Sequence, residues 1–153
     1  MTWPEASLDR VRQLQVMGAA LPGVGMVERV LDAPFHDVWS FLSDLERSVP
    51  MFDHLVASVR VGARHGDQLS VTARLPILGT GTRFAVDLQD GWCWMQSRTY
   101  LVGMAAEPDG ERTRYAHLEG LPFRRSRALR PLFRAVVGAD VRAIARIVEH
   151  GGR

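Results

Sequence analysis

The 153-residue sequence predicts an α+β domain in which a seven-stranded antiparallel sheet wraps around one long C-terminal helix, with an extra helix in front. Three observations lead there. Between residues 57 and 89 apolar side chains recur with a period of two, the mark of strands that are dry on one face and wet on the other. From about Ala128 to Glu149 the period becomes 3.6: Leu129, Leu132, Phe133, Val136, Val137, Val141, Ile144 and Val148 form one stripe, opposite Arg130, Arg134, Arg142 and Arg146. Short turn signals such as "HGD" and "DG" separate the strands, so neighbours run antiparallel.

Residues 4–17 read as a helix, with Pro4 tolerated in its first turn and Leu8, Val11 and Leu14 on one side. "ALPGVG" breaks it and divides the chain into an N-terminal extension, 1–22, and a main domain, 23–150. A helix this short is marginal in water, so it is expected to dock on an apolar patch of its own domain or of a second copy in a homodimer. Trp3 joins its apolar side, and the cavity mouth is one place where it could lie. Met26–Leu31 is a strand; Asp32 then caps a helix with Pro34 in its first turn and Phe35, Val38, Trp39 and Leu42 on one face. "ERSVPMFD" is a second short helix or turn, broken at Pro50. Alternation continues through Ala57, Val59 and Val61, then Leu69, Val71, Ala73 and Leu75, then Phe84, Val86 and Leu88. "GWCWMQSR", "TYLVGMAAE" and "RTRYAHLEG" supply the last three strands.

Composition narrows the function. Hydrophobic content of 46% with 24% charge is globular, and no apolar run approaches the length of a membrane span. The N-terminus lacks a basic leader followed by an apolar block, which makes a cytoplasmic location the expectation. Cys93 is alone and set among apolar residues, which argues for a small buried hydrophobe rather than a nucleophile. His36, His54, His65, His117 and His150 are scattered without ligand spacing, so neither a metal nor another cofactor is expected. All 19 basic residues are arginine. Residues 112–153 hold 10 of them against Glu119, Asp140 and Glu149, whereas residues 1–111 carry a net negative charge. The segment "FRRSRALRPLFR" would suit RNA or an acidic membrane, but it lacks aromatic interleaving and any nucleic-acid motif. A solvated arginine-rich loop is the preferred reading, and no nucleic-acid partner is expected.

The order strand, "DAP", helix carrying "VW", short helix, meander, long helix resembles the helix-grip superfamily, which includes START lipid-transfer domains, the birch-pollen allergen and polyketide aromatase/cyclases. The residues that carry the likeness are "VERVLDAPFHDVWSFLSDLE" at 27–46 and "PDGERTRYAHLEG" at 108–120. The resemblance implies a curved sheet around the last helix with a cavity between them, of a size for a lipid, polyketide or aromatic molecule. It does not imply one activity, because the scaffold hosts carriers and enzymes alike.

Three functions follow. The first is binding of a small hydrophobic or aromatic ligand by Phe84, Val86, Trp94, Tyr115, His117, Phe133 and Val137. The second is an aromatase/cyclase-type enzyme in which Tyr115 and His117 assist proton transfer. The third is a protein-interaction subunit with a filled interior. Thr113, Tyr115, His117 and Glu119 share one face of the last strand, expected inward with Glu119 near the rim, while Arg112 and Arg114 seek water. A two-residue turn near Ser97 and Arg98 would put Trp92 and Trp94 on one face with Leu101, Gly103 and Ala105, and Cys93 and Met95 on the other with Tyr100, Val102 and Met104. Large opposite small suits a concave space, so the tryptophans are expected inside. Whether Arg29 or Glu28 faces inward on the first strand stays open.

Overall fold

Seven strands and four helices form in the order the periodicity predicts, in a computed structural model that describes residues 7–76 and 80–151. Helix α1 spans Arg10–Ala20 and strand β1 Val24–Leu31; helices α2, Phe35–Ser43, and α3, Leu45–Phe52, follow. Strands β2, Ser58–His65, β3, Gln68–Arg74, β4, Gly81–Gln89, β5, Trp92–Gln96, β6, Leu101–Asp109, and β7, Arg112–Gly120, form a continuous antiparallel meander. β1 pairs with β7, giving the order β1-β7-β6-β5-β4-β3-β2. A 3-10 turn at Arg124–Leu129 leads into helix α4, Arg130–His150. At 21 residues α4 is about 32 Å long, enough to cross the sheet. No helix among the described residues is long and apolar enough to cross a membrane.

The main core lies between the concave face of the sheet and α2, α3 and α4. Val38, Trp39 and Leu42 of α2, Val49 and Phe52 of α3, and Val137, Val141 and Ile144 of α4 meet Val71, Val86, Cys93, Met104 and Tyr115 from the strands. Gly25 on β1 sets how close α4 can come. A Cβ there would stand 2.1 Å from the Arg134 backbone nitrogen and 2.4 Å from the Phe133 carbonyl carbon, so a larger residue would push the start of α4 off the sheet.

Several sequence expectations are corrected here. Asp32 is not a cap, because Pro34 occupies the N-cap position of α2; the Asp32 N–H instead donates to Glu149 at 3.1 Å. Pro50 does not break α3 but sits inside it, within its final turn. Leu129 and Leu132 of the expected stripe are exposed, and Asp140 occupies a buried place among its apolar residues. The first helix begins at Arg10, capped by Asp9, whose carboxylate accepts the Arg12 N–H at 2.8 Å. Trp3 and Pro4 lie outside the described residues.

Helix α1 packs on β6 and β7, from the convex side. Val11 and Leu14 are fully buried against Trp92, Ala105, Ala116 and Leu118, with Trp94 and Met26 at the margin. The Arg10 N–H donates to Glu107 at 2.6 Å, its guanidinium reaches Gln89 at 2.7 Å and stands over the Trp92 ring at 6.0 Å, and Arg114 bridges to Asp9 and Glu28. The helix therefore docks on its own domain and lies on the sheet face opposite the cavity.

Candidate functional site

The concave face does not close completely on α3 and α4. It leaves a cavity of about 330 Å³ whose walls include Phe52, Val59, Phe84, Met95, Val102, Met104 and Phe133, and into which Asp53, Tyr100 and Glu119 also project. A larger depression, about 830 Å³, lies between Arg83, Asp87, Trp94 and Gln96 on the convex side. It is open to solvent, and among the described residues no buried polar group converges on it. The cavity is the place where chemistry and enclosure coincide.

Strand β7 delivers the polar side chains. Period two sends Thr113, Tyr115, His117 and Glu119 to the concave face, where all four are buried. The Thr113 hydroxyl donates to the Ala33 carbonyl at 2.8 Å and ties the strand to the start of α2. The other three form a chain. Tyr115 Oη lies 2.9 Å from His117 Nδ1, and His117 Nε2 lies 2.9 Å from Glu119 Oε1. The Tyr100 hydroxyl donates to Glu119 Oε2 at 2.7 Å. A neutral imidazole with its proton on Nε2 satisfies every member: Tyr115 donates to Nδ1, Nε2 donates to Glu119, and Glu119 accepts from both sides. Phe52 stands edge-on to the His117 ring, centroids 5.9 Å apart, and Phe133 meets Tyr100 at the same separation.

Two further carboxyl groups converge on this chain. Asp140 of α4 is buried, and its Oδ2 has no hydrogen-bond partner among the described residues. Burial above all, then the negative charges of Glu119 and Asp53, push its pKa up to about 8. Asp53, just past α3, is raised to about 6 by burial and then by Glu119. Burial likewise pushes the Tyr100 and Tyr115 hydroxyls well above the usual phenol range, so both act as donors at neutral pH. Cys93 is raised to about 12, by burial first and the Asp87 charge second, which leaves it a protonated core side chain.

One ligand atom each from His117, Glu119 and Asp140 lies within 4.8 Å of the others, close enough to share a metal ion. Histidine spacing in the chain could not reveal this grouping, because it joins a strand to a helix. His117 Nε2 and Glu119 Oε1 already hydrogen-bond each other, so an ion would have to displace that bond.

The expected ligand-binding residues separate into three groups. Phe84 and Phe133 line the cavity. Val86, Tyr115, His117 and Val137 belong to the buried core beside it, so that Glu119 and Tyr100, rather than His117, are the members of the polar chain that reach the open space. Trp94 is corrected outright: it lies with Trp92 on the convex face, the two rings stacked 6.4 Å apart. The tryptophans share a face with Leu101, Gly103 and Ala105 as expected, but residues 97–100 make a four-residue turn, so Trp92 stands opposite Ala105 and Trp94 opposite Gly103, and the small residues make room for α1 and not for a ligand. The third alternative, a wholly filled interior, does not hold beside the cavity. Arg29 shares the concave-side parity of Val27 and Leu31 yet is exposed and does not line the cavity, while Glu28 faces Arg114 and Gln15 on the convex side.

Asp53, Tyr100 and Asp140 were missed from sequence. For Asp140 a signal existed: an acid one turn before Ile144, inside an apolar stripe, needs a reason to be buried. Tyr100 and Asp53 follow loop and helix ends, where periodicity carries no information.

No family model matches the chain. No curated protein matches it either. Among solved structures, a Thermus thermophilus protein is 20% identical with a TM-score of 0.62, the match covering 85% of this chain and 99% of that one. A Streptomyces aromatase/cyclase is 18% identical with a TM-score of 0.61, covering 85% and 96%. A START superfamily protein from Mycobacterium smegmatis is 15% identical with a TM-score of 0.56, covering 83% and 97%. Identities this low speak for architecture alone, and in architecture this chain has the helix-grip fold that the START and aromatase/cyclase structures share.

Proposed function

We propose that the chain binds a small hydrophobic or aromatic molecule in the cavity between the sheet and helices α3 and α4. The observation that carries this reading is the cavity itself: about 330 Å³, walled by aliphatic and aromatic side chains, with a few convergent polar groups. That is the usual make-up of a site that takes its ligand by burial and orients it by hydrogen bonds. Calorimetry with naphthol tests it on the full chain. Naphthol should bind, and Ala73→Phe, which builds a ring into the cavity wall, should weaken it by about tenfold or more. Equal binding by both proteins would place naphthol elsewhere and defeat the reading. Trp92 and Trp94 lie across the sheet from the cavity, so of the described tryptophans Trp39, in the concave core, is the one whose fluorescence would report binding.

A second reading, an aromatase/cyclase-type enzyme, is favoured by one observation. The chain Tyr115–His117–Glu119–Tyr100 ends on the cavity and could carry a proton to a bound carbonyl compound. Deuterium exchange at the activated carbon of tetralone, followed by NMR, tests this without the natural substrate. The enzyme reading expects exchange above the buffer rate that His117→Ala abolishes; exchange at the buffer rate with the unaltered protein counts against it.

A further inference from the structure

We infer that the ligand of this cavity carries a cationic amine on an apolar, aromatic-sized body, and that its ammonium group is received by Glu119 and Asp53 with Asp140 behind them. The inference rests on the ligand-binding reading above and sharpens it. Its first support is the composition of the wall. Among the described residues the lining includes two carboxyl groups, Asp53 and Glu119, and no arginine or histidine, in a chain with 19 arginines. A fatty acid, phosphate or other anion placed there would find hydroxyl groups of Thr82, Thr99 and Tyr100 but no cationic partner, and would face two carboxyl groups.

The second support is a buried carboxyl group that becomes an acceptor for an ammonium group once it ionises. Asp140 Oδ2 is buried with no partner among the described residues, and one ligand atom each of Asp140, Glu119 and His117 lies within 4.8 Å of the others. Buried polar atoms are nearly always satisfied, and one left open at a functional site calls for an explanation. A third support is the aromatic surround: Phe52, Tyr100 and Phe133 line the same cavity, and aromatic faces attract an ammonium group. An inorganic cation alone would leave the apolar walls of about 330 Å³ unused, which favours an organic amine.

The titratable groups around this end are Asp53 and His54 after α3, Tyr100, Tyr115, His117 and Glu119 from the sheet, and Asp140 from α4. Mutual repulsion contributes to raising Asp53 and Asp140, and a bound cation relieves it. Amine binding should therefore release protons and tighten as pH rises from about 6 towards about 8, while the amine stays charged.

Calorimetry with three probes that share one ring system tests the inference at neutral pH: naphthylethylamine, naphthylethanol and naphthylacetic acid. The amine should bind about tenfold or more tighter than the alcohol, the acid should bind least, and amine binding should release protons into the buffer. Glu119→Gln should shrink the advantage of the amine over the alcohol, read as the ratio of the two affinities. Should that variant fail to fold, Asp53→Asn, which alters a less enclosed group, carries the same expectation. An acid that binds as well as the amine, or an amine no better than the alcohol, overturns the inference and leaves the cavity reading standing. Zinc chloride alone, binding at the cluster and excluding the amine, overturns it in favour of a metal site. If none of the three probes binds, the cavity reading falls with it.

Discussion

The two faces of strands β5, β6 and β7 share one backbone and differ in almost everything else. On the convex face Trp92, Ala105, Ala116 and Leu118 pack closely under Val11 and Leu14 of α1, with Trp94 at the margin. On the concave face Met95 and Met104 border a cavity, and Tyr115, His117 and Glu119 make a buried polar chain. Bulk collects where the covering helix can lie close. Space and unmatched polarity collect where the cover is held off. The most aromatic stretch of the chain therefore marks the face covered by α1 and not the face that holds the cavity.

The largest test of that division is Leu14→Ala. Leu14 is fully buried between α1 and the sheet, and deleting its side chain there should cost about 2–5 kcal/mol of unfolding free energy by denaturant titration. Naphthol binding across the sheet should stay the same. A loss below about 1 kcal/mol would show that α1 contributes little and would break the comparison on its stabilising side.

Asp140→Asn probes the other face through pH. Asp140 is raised in the folded state, so between its ordinary value of 3.8 and about 8 the folded protein holds more protons than the unfolded chain. Stability must then fall as pH rises through that window, and Asp53, raised to about 6, adds a decline of the same sign. The asparagine variant should lose the Asp140 part of the slope and be more stable than the parent above pH 8 by about 2–4 kcal/mol, as urea unfolding at several pH values would show. Identical slopes would mean that Asp140 is not held protonated in the fold.

These two faces also explain how far the sequence could be read. Alternation along β7 was enough to send Tyr115 and His117 inward, and the stripe of α4 gave the helix within two residues. The tryptophans were misplaced although the information was present. Gly110 and Glu111 form a two-residue turn that pairs Asp109 with Arg112, which sets Ala106 against Tyr115 and Met104 against His117. The next hairpin sets Met104 against Cys93. Followed strand by strand, an inward His117 forces Cys93 and Met95 inward and both tryptophans out. An apolar N-terminal helix in need of a surface pointed the same way. The convergence of Asp53, Asp140 and Tyr100 was beyond such parity, because it depends on where α3 and α4 cross the sheet.

Gly103→Ala gives a smaller effect on the convex face. A Cβ there would come within 2.7 Å of Leu14 Cδ1, 3.0 Å of Leu118 Cγ and 3.2 Å of Trp94 Cε3. The nearest atom is the end of a flexible side chain, so α1 shifts rather than detaches, at a cost of about 1–3 kcal/mol. Combined with Leu14→Ala, which removes the atom it strikes, the alanine should cost markedly less than alone. A strictly additive pair would show that α1 does not sit over Gly103.

Asp9→Ala should have the smallest effect and the clearest pH signature. The Asp9 carboxylate caps α1 through the Arg12 N–H at 2.8 Å and faces Arg114 at 3.4 Å on the sheet. The capping bond above all, with Arg114 adding to it, holds its pKa below the ordinary 3.8. The sign is opposite to that of Asp140: the stabilisation is complete above the ordinary value and is lost as pH falls through the lowered one. Loss of the cap should cost about 1 kcal/mol at neutral pH, and parent and variant should converge in acid. Because Asp9 serves only the convex face, naphthol affinity should be unchanged at neutral pH. A cost that persists undiminished in acid would mean that the side chain acts through packing and not through its charge.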